Sequence, residues 1–187
     1  MGSRLRGNDG KEKMHRELTC HPATPCAAVE RIEAAVSLAA DGALALHYVV
    51  KGAIGALRLP AVAAPERTDG LWQHSCFEAF LRGAEGYHEH NFSPSTQWAA
   101  YRFDGYRAGM RDAEIPAPAI EITLAVDLFA LRVAIDLPAG ATRLGLAAVI
   151  EETSGRKSYW ALAHPSGPPD FHHIDCFALD LAAAIQS

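Results

Sequence analysis

The chain has 187 residues, of which 49% are hydrophobic and 21% are charged, and its formal net charge is -5. This length suffices for one domain with a sizeable core. The negative charge and the lack of a basic stripe argue against nucleic acid as a partner. No run of about 18 apolar residues is present, so no membrane partner or membrane span is expected.

The first 14 residues are polar, basic and without periodicity, which predicts a disordered leader before a single domain at 15–187. The amino terminus lacks the apolar core of an export signal. No CxxC pair occurs among the four cysteines, which are Cys20, Cys26, Cys76 and Cys176. We therefore expect a cytoplasmic protein with reduced thiols.

The first regular segment of the chain, 29–38, fits both a strand and a short helix. Asp41-Gly42 follows it, and the next run, 43–50, alternates between apolar and polar residues. An Asp-Gly pair between two such runs is typical of a β-hairpin, which favours the strand. A short strand is predicted at 57–59, before a long loop rich in alanine and proline.

The most regular strand patterning lies in the stretch 69–104. Strands are predicted at 75–82, 87–92 and 97–103, with tight turns between them. One face of each strand is apolar. The other face mixes aromatic rings with hydrogen-bonding side chains: Glu78, His88, His90 and Arg102. Such a mixture is unusual on a plain solvent face, so we expect a ligand site here.

The remainder of the chain also reads as strands. Residues 105–119 are irregular, and 164–169 form a loop rich in proline and glycine. Strands are predicted at 120–126, 131–137, 143–152, 157–163 and 175–181. About ten short strands at intervals of about 8–12 residues predict an all-β sandwich of antiparallel strands.

Several segments together resemble the bacterial DOMON-like proteins, a group related to the family-9 carbohydrate-binding modules. These segments are LWQHSCFEAFL, YHEHNFSPSTQWAAYRF, AAVIEE, SYWALAHP and PDFHHIDCF. The resemblance spans roughly residues 18–181. It implies an immunoglobulin-like or jelly-roll β-sandwich that binds a ligand across one sheet or at its edge, as relatives do with sugars or haem.

The resemblance also implies which residues form the site. In the sugar-binding relatives, two tryptophans clamp a sugar ring and polar side chains bond its hydroxyls. Trp72 lies six residues before Glu78, as in those modules, and Trp160 takes the place of the second clamp. Asn91 and Arg102 are the further polar partners. We therefore expect non-catalytic binding of a small polar ligand, a saccharide, in an aromatic-lined cleft. The rival is a protein-interaction domain in which both tryptophans are core.

A second cluster of polar residues lies in the segment HPSGPPDFHHID. Imidazole and carboxylate groups at this density are ligands for Zn²⁺ or a similar ion. The weak candidates are His164, Asp170, His172, His173 and Asp175. The adjacent histidines point to opposite faces of an extended chain, so loop-stabilising hydrogen bonds are the simpler interpretation.

We expect no cofactor, with haem and catalysis kept as alternatives. Haem would use Met110 with His88 or His90 as axial ligands. An uncharacterised enzyme would pair Glu78 with His74 or His88 as acid and base, or with the adjacent carboxylates Glu151 and Glu152. The pattern of a nucleophile elbow is absent.

Overall fold

The computed structural model describes residues 13–39 and 41–182, and its regular structure is built from antiparallel β-strands. The strands are β1 (Met14–Cys20), β2 (Val29–Leu38), β3 (Leu44–Gly52), β4 (Cys76–Arg82), β5 (Tyr87–Phe92), β6 (Trp98–Phe103), β7 (Arg111–Asp112), β8 (Ile120–Leu124), β9 (Leu128–Ile135), β10 (Arg143–Glu151), β11 (Lys157–Ala161) and β12 (Leu179–Asp180). Short 3₁₀ turns occur at Ile54–Ala56, Leu71–Gln73 and Ile174–Cys176. The prediction of an all-β chain is confirmed.

The strands form one hydrogen-bonded path in the order β7-β6-β5-β4-β10-β11-β1-β2-β3-β9-β8, with β12 beside β10. The path curls, so its two halves face each other. We call β1, β2, β3, β9 and β8 half-sheet A, and the strands from β7 to β11 along the path, with β12, half-sheet B. Strand β1 joins the two halves, because it pairs with β2 along most of its length and with β11 at Thr19 and Cys20.

The main core lies between the facing sides of the two half-sheets. Phe77 of half-sheet B stacks on Phe129 of half-sheet A, with ring centroids 5.5 Å apart, and touches Tyr48 at 5.2 Å. The Tyr48 hydroxyl donates a hydrogen bond of 2.8 Å to the backbone carbonyl of Glu78. Every second residue of the central strands faces this core, which is the strand period that the sequence shows.

The outer faces of the two half-sheets differ. On β3, buried residues alternate with partly exposed ones, as expected for a sheet with one solvated face. Strand β4 is buried from Cys76 to Leu81 and β10 from Leu144 to Glu151, so half-sheet B is covered on both sides. Its outer cover is made by loops 66–75, 104–110 and 162–178. The last loop approaches so closely that a Cβ on Gly145 would lie 2.8 Å from the Cys176 carbonyl.

Most predicted strands are present, with four differences. The chain at 57–59 makes one isolated bridge, between Leu57 and Glu152, after a 3₁₀ turn. Strand β9 begins at Leu128, three residues before the predicted strand 131–137, and 175–181 contains only the short β12. Strands β1 and β7 were not predicted. Residues 1–12 of the predicted leader lie outside the described residues, and Met14 already begins β1.

Two further findings concern the cysteines and the possibility of a membrane-spanning helix. All four cysteines are free thiols, and burial raises the pKa of Cys176 to about 12. Within residues 13–39 and 41–182, no helix is long and apolar enough to cross a membrane.

Candidate ligand pocket

The register of the β4–β5 hairpin places two glutamates on the outer face of half-sheet B. Arg82 pairs with Tyr87, so Glu78 lies opposite Asn91 and diagonal to Glu89. Diagonal neighbours on one face are within reach of long side chains. The turn depends on Gly86, which has φ of 72° and whose Cβ would meet the Phe103 carbonyl at 2.0 Å.

A pocket of about 340 Å³ lies between this face and the covering loops. Its volume is at the lower end of the range for small-molecule sites, about 300–1,000 Å³. Glu78 and Glu89 form part of its floor. Four aromatic rings contribute to its walls: Trp72, Phe103, Tyr159 and Phe171. Apolar walls with a few polar groups at the floor are the common composition of a small-ligand site.

The two floor carboxyls have different surroundings. Glu89 is 5% exposed and accepts a hydrogen bond of 2.8 Å from the Asn91 amide. Glu78 is 3% exposed, and its carboxyl has no hydrogen-bond partner among the described residues. Burial, and secondly the charge of Glu89, raise the pKa of Glu78 well above its usual range. Burial also raises the pKa of Glu89, against the opposing effect of the Asn91 hydrogen bond.

Hydrogen bonds connect Tyr87 to two covering loops and bring His172 near Glu89. The Arg107 backbone N–H donates to the Tyr87 hydroxyl at 3.2 Å, which leaves the phenolic proton for His172 Nδ1 at 2.7 Å. This arrangement assigns the imidazole proton to Nε2, which lies 3.7 Å from Glu89 Oε2. Burial, followed by the charge of Arg107, lowers the pKa of His172 to about 4. His172 is therefore a neutral ring near neutral pH.

The mouth of the pocket carries an ion pair. Arg107 Nη2 lies 2.8 Å from Asp170 Oδ1, and the Tyr106 hydroxyl donates to the other oxygen of that carboxylate. Burial alone would raise the pKa of Asp170, but these hydrogen bonds lower it below its usual value. Arg107 has φ of 51°, a left-handed conformation that is uncommon for a residue with a side chain. The pocket therefore has a cation at its mouth that is already neutralised by a carboxylate of the chain.

Trp72 lies on the 3₁₀ turn that starts after Gly70, a residue in the left-handed region with φ of 75°. Its indole meets the Tyr101 ring edge-on, with centroids 5.9 Å apart, and is 39% exposed. The Tyr101 hydroxyl donates to Asp69 at 2.7 Å and so ties the preceding loop to β6. Trp72 thus offers an accessible indole face beside the carboxyl floor.

The structure brings together three of the five predicted site residues. Trp72 and Glu78 line the pocket, and Asn91 lies beneath it, where it orients Glu89. Arg102 and Trp160 lie on the opposite face of half-sheet B. Trp160 is core, 5% exposed, and its indole N–H donates to Ser158 at 2.9 Å. The structure therefore does not bring the two tryptophans of the expected clamp together.

The five weak metal candidates do not converge. His164 Nε2 bonds the Thr19 carbonyl at 2.8 Å, and His173 Nδ1 accepts from the backbone N–H of Asp175. Asp170 and His172 have the partners already described. No group of three or more histidine, cysteine or acidic side chains could hold a metal ion within the described part of the chain. Loop-stabilising hydrogen bonds account for this cluster.

The structure also separates the residues that the sequence suggested as haem ligands and as an acid–base pair. Met110 lines the pocket on the outer face, whereas His88 and His90 alternate with Glu89 on β5 and point to the opposite side. His74 Nδ1 lies 2.7 Å from Glu151, which also pairs with Arg58 at 2.9 Å. Glu152 is engaged by Arg156 at 3.0 Å. Neither glutamate of that pair is a floor group of the pocket.

Sequence reasoning missed the groups that complete the pocket: Glu89, Tyr87, Arg107, Tyr159 and Phe171. A signal existed for Glu89, because a four-residue turn that pairs Arg82 with Tyr87 puts Glu89 on the face of Glu78. The β10–β11 register similarly places Tyr159, rather than Trp160, on the outer face. No signal existed for Arg107, which reaches the site from a loop.

No family model, curated protein or solved structure matches the chain.

Proposed function

We propose that this protein binds a small polyhydroxylated ligand, a saccharide, in the outer pocket of half-sheet B, without carrying out chemistry on it. One observation supports this above all: the Glu78 carboxyl is buried, has no partner among the described residues and faces a cavity beside an exposed indole. A buried polar group without a partner costs free energy unless something else satisfies it. A bound hydroxyl group would do so.

The chemistry of the walls supports the same ligand class. A sugar ring has an apolar C–H face that packs on an aromatic ring, and its hydroxyls lie at the ring edge. Trp72 and Phe171 would contact the ring, while Glu78 and Glu89 would bond the hydroxyls. The volume of about 340 Å³ suits a mono- or disaccharide rather than a long oligosaccharide.

Two coarser parts of the proposal concern kinship and compartment. We propose that the chain is a DOMON-like protein, on the strength of the sequence segments and the all-β sheet. We also propose that it is cytoplasmic, which agrees with its four free thiols. Neither point enters the binding test.

The test is calorimetric titration of the protein with a panel of mono- and disaccharides. At least one sugar should bind with a saturable heat. Trp72→Ala should weaken that binding by about tenfold or more, because the stacking surface is lost. The fold should survive, since the indole is already 39% exposed.

Trp72→Phe keeps an aromatic face and should retain part of the affinity. The matched control is Val126→Ala, which truncates a side chain that is 90% exposed beyond β8, on half-sheet A. It should bind like the unaltered protein. A panel with no saturable response, or full affinity in Trp72→Ala, would contradict the proposal.

A further inference from the structure

The two carboxyls of the pocket floor have no cation paired with them among the described residues. Glu78 and Glu89 are both at least 95% buried, on neighbouring strands and on one face. Among the described residues, a hydrogen-bond donor reaches Glu89 alone of the two, from Asn91. Two buried carboxylates without a cation are unfavourable together, because each raises the cost of ionising the other.

The arginine that lines the pocket is already paired with a carboxylate of the chain. The Arg107 guanidinium lies 2.8 Å from Asp170, and Asp170 also accepts from Tyr106. Arg107 does act on the floor, since its charge lowers the pKa of Glu89 against the larger effect of burial. It makes no hydrogen bond to either floor carboxyl among the described residues. The floor therefore retains a place for a positive charge that the ligand can fill.

A metal ion does not suit this place. The described residues include no cluster of three or more acidic, histidine or cysteine side chains with metal-binding geometry. Four aromatic rings surround the floor instead. Aromatic faces and carboxylates together are the surroundings that an organic ammonium group prefers, because the ring faces are electronegative and the carboxylates provide the counter-charge.

We propose that the ligand of this pocket carries a protonated amine, which lies between Glu78 and Glu89 and against the aromatic walls. This inference rests on the proposed function and narrows it: the saccharide is an amino sugar. The ammonium group donates to the free Glu78 carboxylate and to Glu89. The sugar ring packs on Trp72, and its hydroxyls face the mouth at Arg107 and Asp170.

Binding should then be coupled to release of a proton. In the free protein, burial and the neighbouring Glu89 raise the pKa of Glu78, and burial raises the pKa of Glu89, so the pair holds a proton to higher pH than two exposed carboxyls would. An ammonium ion between the two favours the doubly ionised pair, so that proton leaves when the ligand binds. A neutral sugar has no charge with which to drive this ionisation.

The other groups that face the pair do not supply this proton. Four hydroxyl and thiol groups around it have pKa values raised first of all by burial, so they stay protonated: Tyr48, Cys76, Tyr87 and Tyr101. Burial, then Arg107, lowers the pKa of His172 to about 4, so its ring is neutral already. The pKa of Asp170 is lowered, which keeps it ionised. The released proton therefore comes from Glu78 and Glu89.

The experiment compares glucosamine, N-acetylglucosamine and glucose by calorimetry, at a pH where the amine of glucosamine is protonated. Glucosamine should bind at least about tenfold more tightly than the two neutral sugars. Titrations in two buffers with different ionisation enthalpies should show more proton release with glucosamine than with glucose.

Glu78→Gln and Glu89→Gln should each remove most of the preference for glucosamine and abolish the proton release. Both replacements keep the side-chain shape and remove a buried charge, so folding should persist, which circular dichroism checks. The control is Glu121→Gln, on the exposed strand β8 of half-sheet A, which should leave preference and proton release unchanged.

The outcomes separate the two proposals. If glucose and N-acetylglucosamine bind as tightly as glucosamine, the ammonium inference is overturned and the saccharide function is supported. If ethanolamine binds in a Glu78-dependent way while no sugar binds, the ammonium site is supported and the saccharide function is wrong. If none of these probes binds to folded protein, both are overturned.

Discussion

At the scale of single residues, His90 is the least satisfied polar side chain on the core side of β5. It is 1% exposed, and neither of its ring nitrogens has a hydrogen-bond partner within residues 13–39 and 41–182. Its ring lies near Phe92, with centroids 6.2 Å apart, and near His88 at 6.5 Å. Burial, assisted by the charges of His88 and Arg67, lowers its pKa to about 3.

This lowered pKa predicts acid sensitivity. An unfolded histidine has a pKa of about 6.5, so between about pH 6.5 and pH 3 the unfolded chain binds a proton that the folded chain does not. The free energy of unfolding therefore falls as pH falls, by up to about 1.4 kcal/mol per pH unit from this group. His90→Leu should lose less stability than the unaltered protein between pH 7.5 and 4.5, as measured by urea denaturation.

Comparison between variants is needed because other groups titrate in the same range. The raised pKa of Glu78 acts in the opposite direction, since its buried carboxyl is better tolerated when protonated. The control is His15→Leu, at an exposed position of β1, which should leave the pH dependence unchanged. An equal loss of stability in His90→Leu and the unaltered protein would show that His90 protonates freely in the folded state.

At the scale of elements, Tyr87 of β5 connects two covering loops to half-sheet B by hydrogen bonds. Its hydroxyl accepts from the Arg107 backbone and donates to His172, while its ring stacks on Phe103 with centroids 4.7 Å apart. Tyr87→Phe keeps the stacked ring and removes both hydrogen bonds. We expect a loss of about 0.5–3 kcal/mol in the free energy of unfolding. Hydrogen exchange should become faster in residues 105–108 and 170–173.

The matched control is Tyr159→Phe, because the Tyr159 hydroxyl has no hydrogen-bond partner within the described part of the chain. In this variant, backbone hydrogen exchange in residues 105–108 and 170–173 should be as in the unaltered protein. Unchanged exchange in Tyr87→Phe would mean that the aromatic packing of Phe171 and Phe177 on Phe80 holds the loop by itself.

The sequence predicts the strands better than the faces that they present. Alternation located the central hairpins because one side of each strand packs in the main core. It did not show β1, whose hydrogen bonds to β2 and β11 do not require a strong apolar alternation. It also could not show that half-sheet B is covered on both sides, since its cover comes from loops.

The candidate site was predictable only where strand register determines it. Glu78 follows from the alternation of β4, and Glu89 follows once the hairpin register is known. Trp160 was misplaced because a shift of one residue along β11 exchanges the core face for the pocket face. Arg107 and His172 reach the site through contacts that span 20 and 85 residues, which no local pattern encodes.

At the scale of the whole molecule, the curled sheet joins two half-sheets around one shared core, which predicts that they unfold together. The main core takes side chains from both, and the Tyr48 hydroxyl of half-sheet A bonds the backbone of Glu78 in half-sheet B. Leu131 on β9 is fully buried in this core, at 0% exposure. All three tryptophans lie in half-sheet B or its covering loops, and Trp160 faces the shared core. Tryptophan fluorescence therefore reports on half-sheet B and on this core, whereas far-ultraviolet circular dichroism reports on the strands of both half-sheets.

Leu131→Ala leaves a cavity in half-sheet A and should lower the free energy of unfolding by about 2–5 kcal/mol. Because the core is shared, the tryptophan fluorescence of half-sheet B should shift to lower urea by the same amount as the circular dichroism, in one transition. Leu124→Ala on β8, where the side chain is 65% exposed, is the control and should change stability by less than about 0.5 kcal/mol. Separate fluorescence and dichroism transitions in Leu131→Ala would show that half-sheet B, with its pocket, stays folded when half-sheet A unfolds.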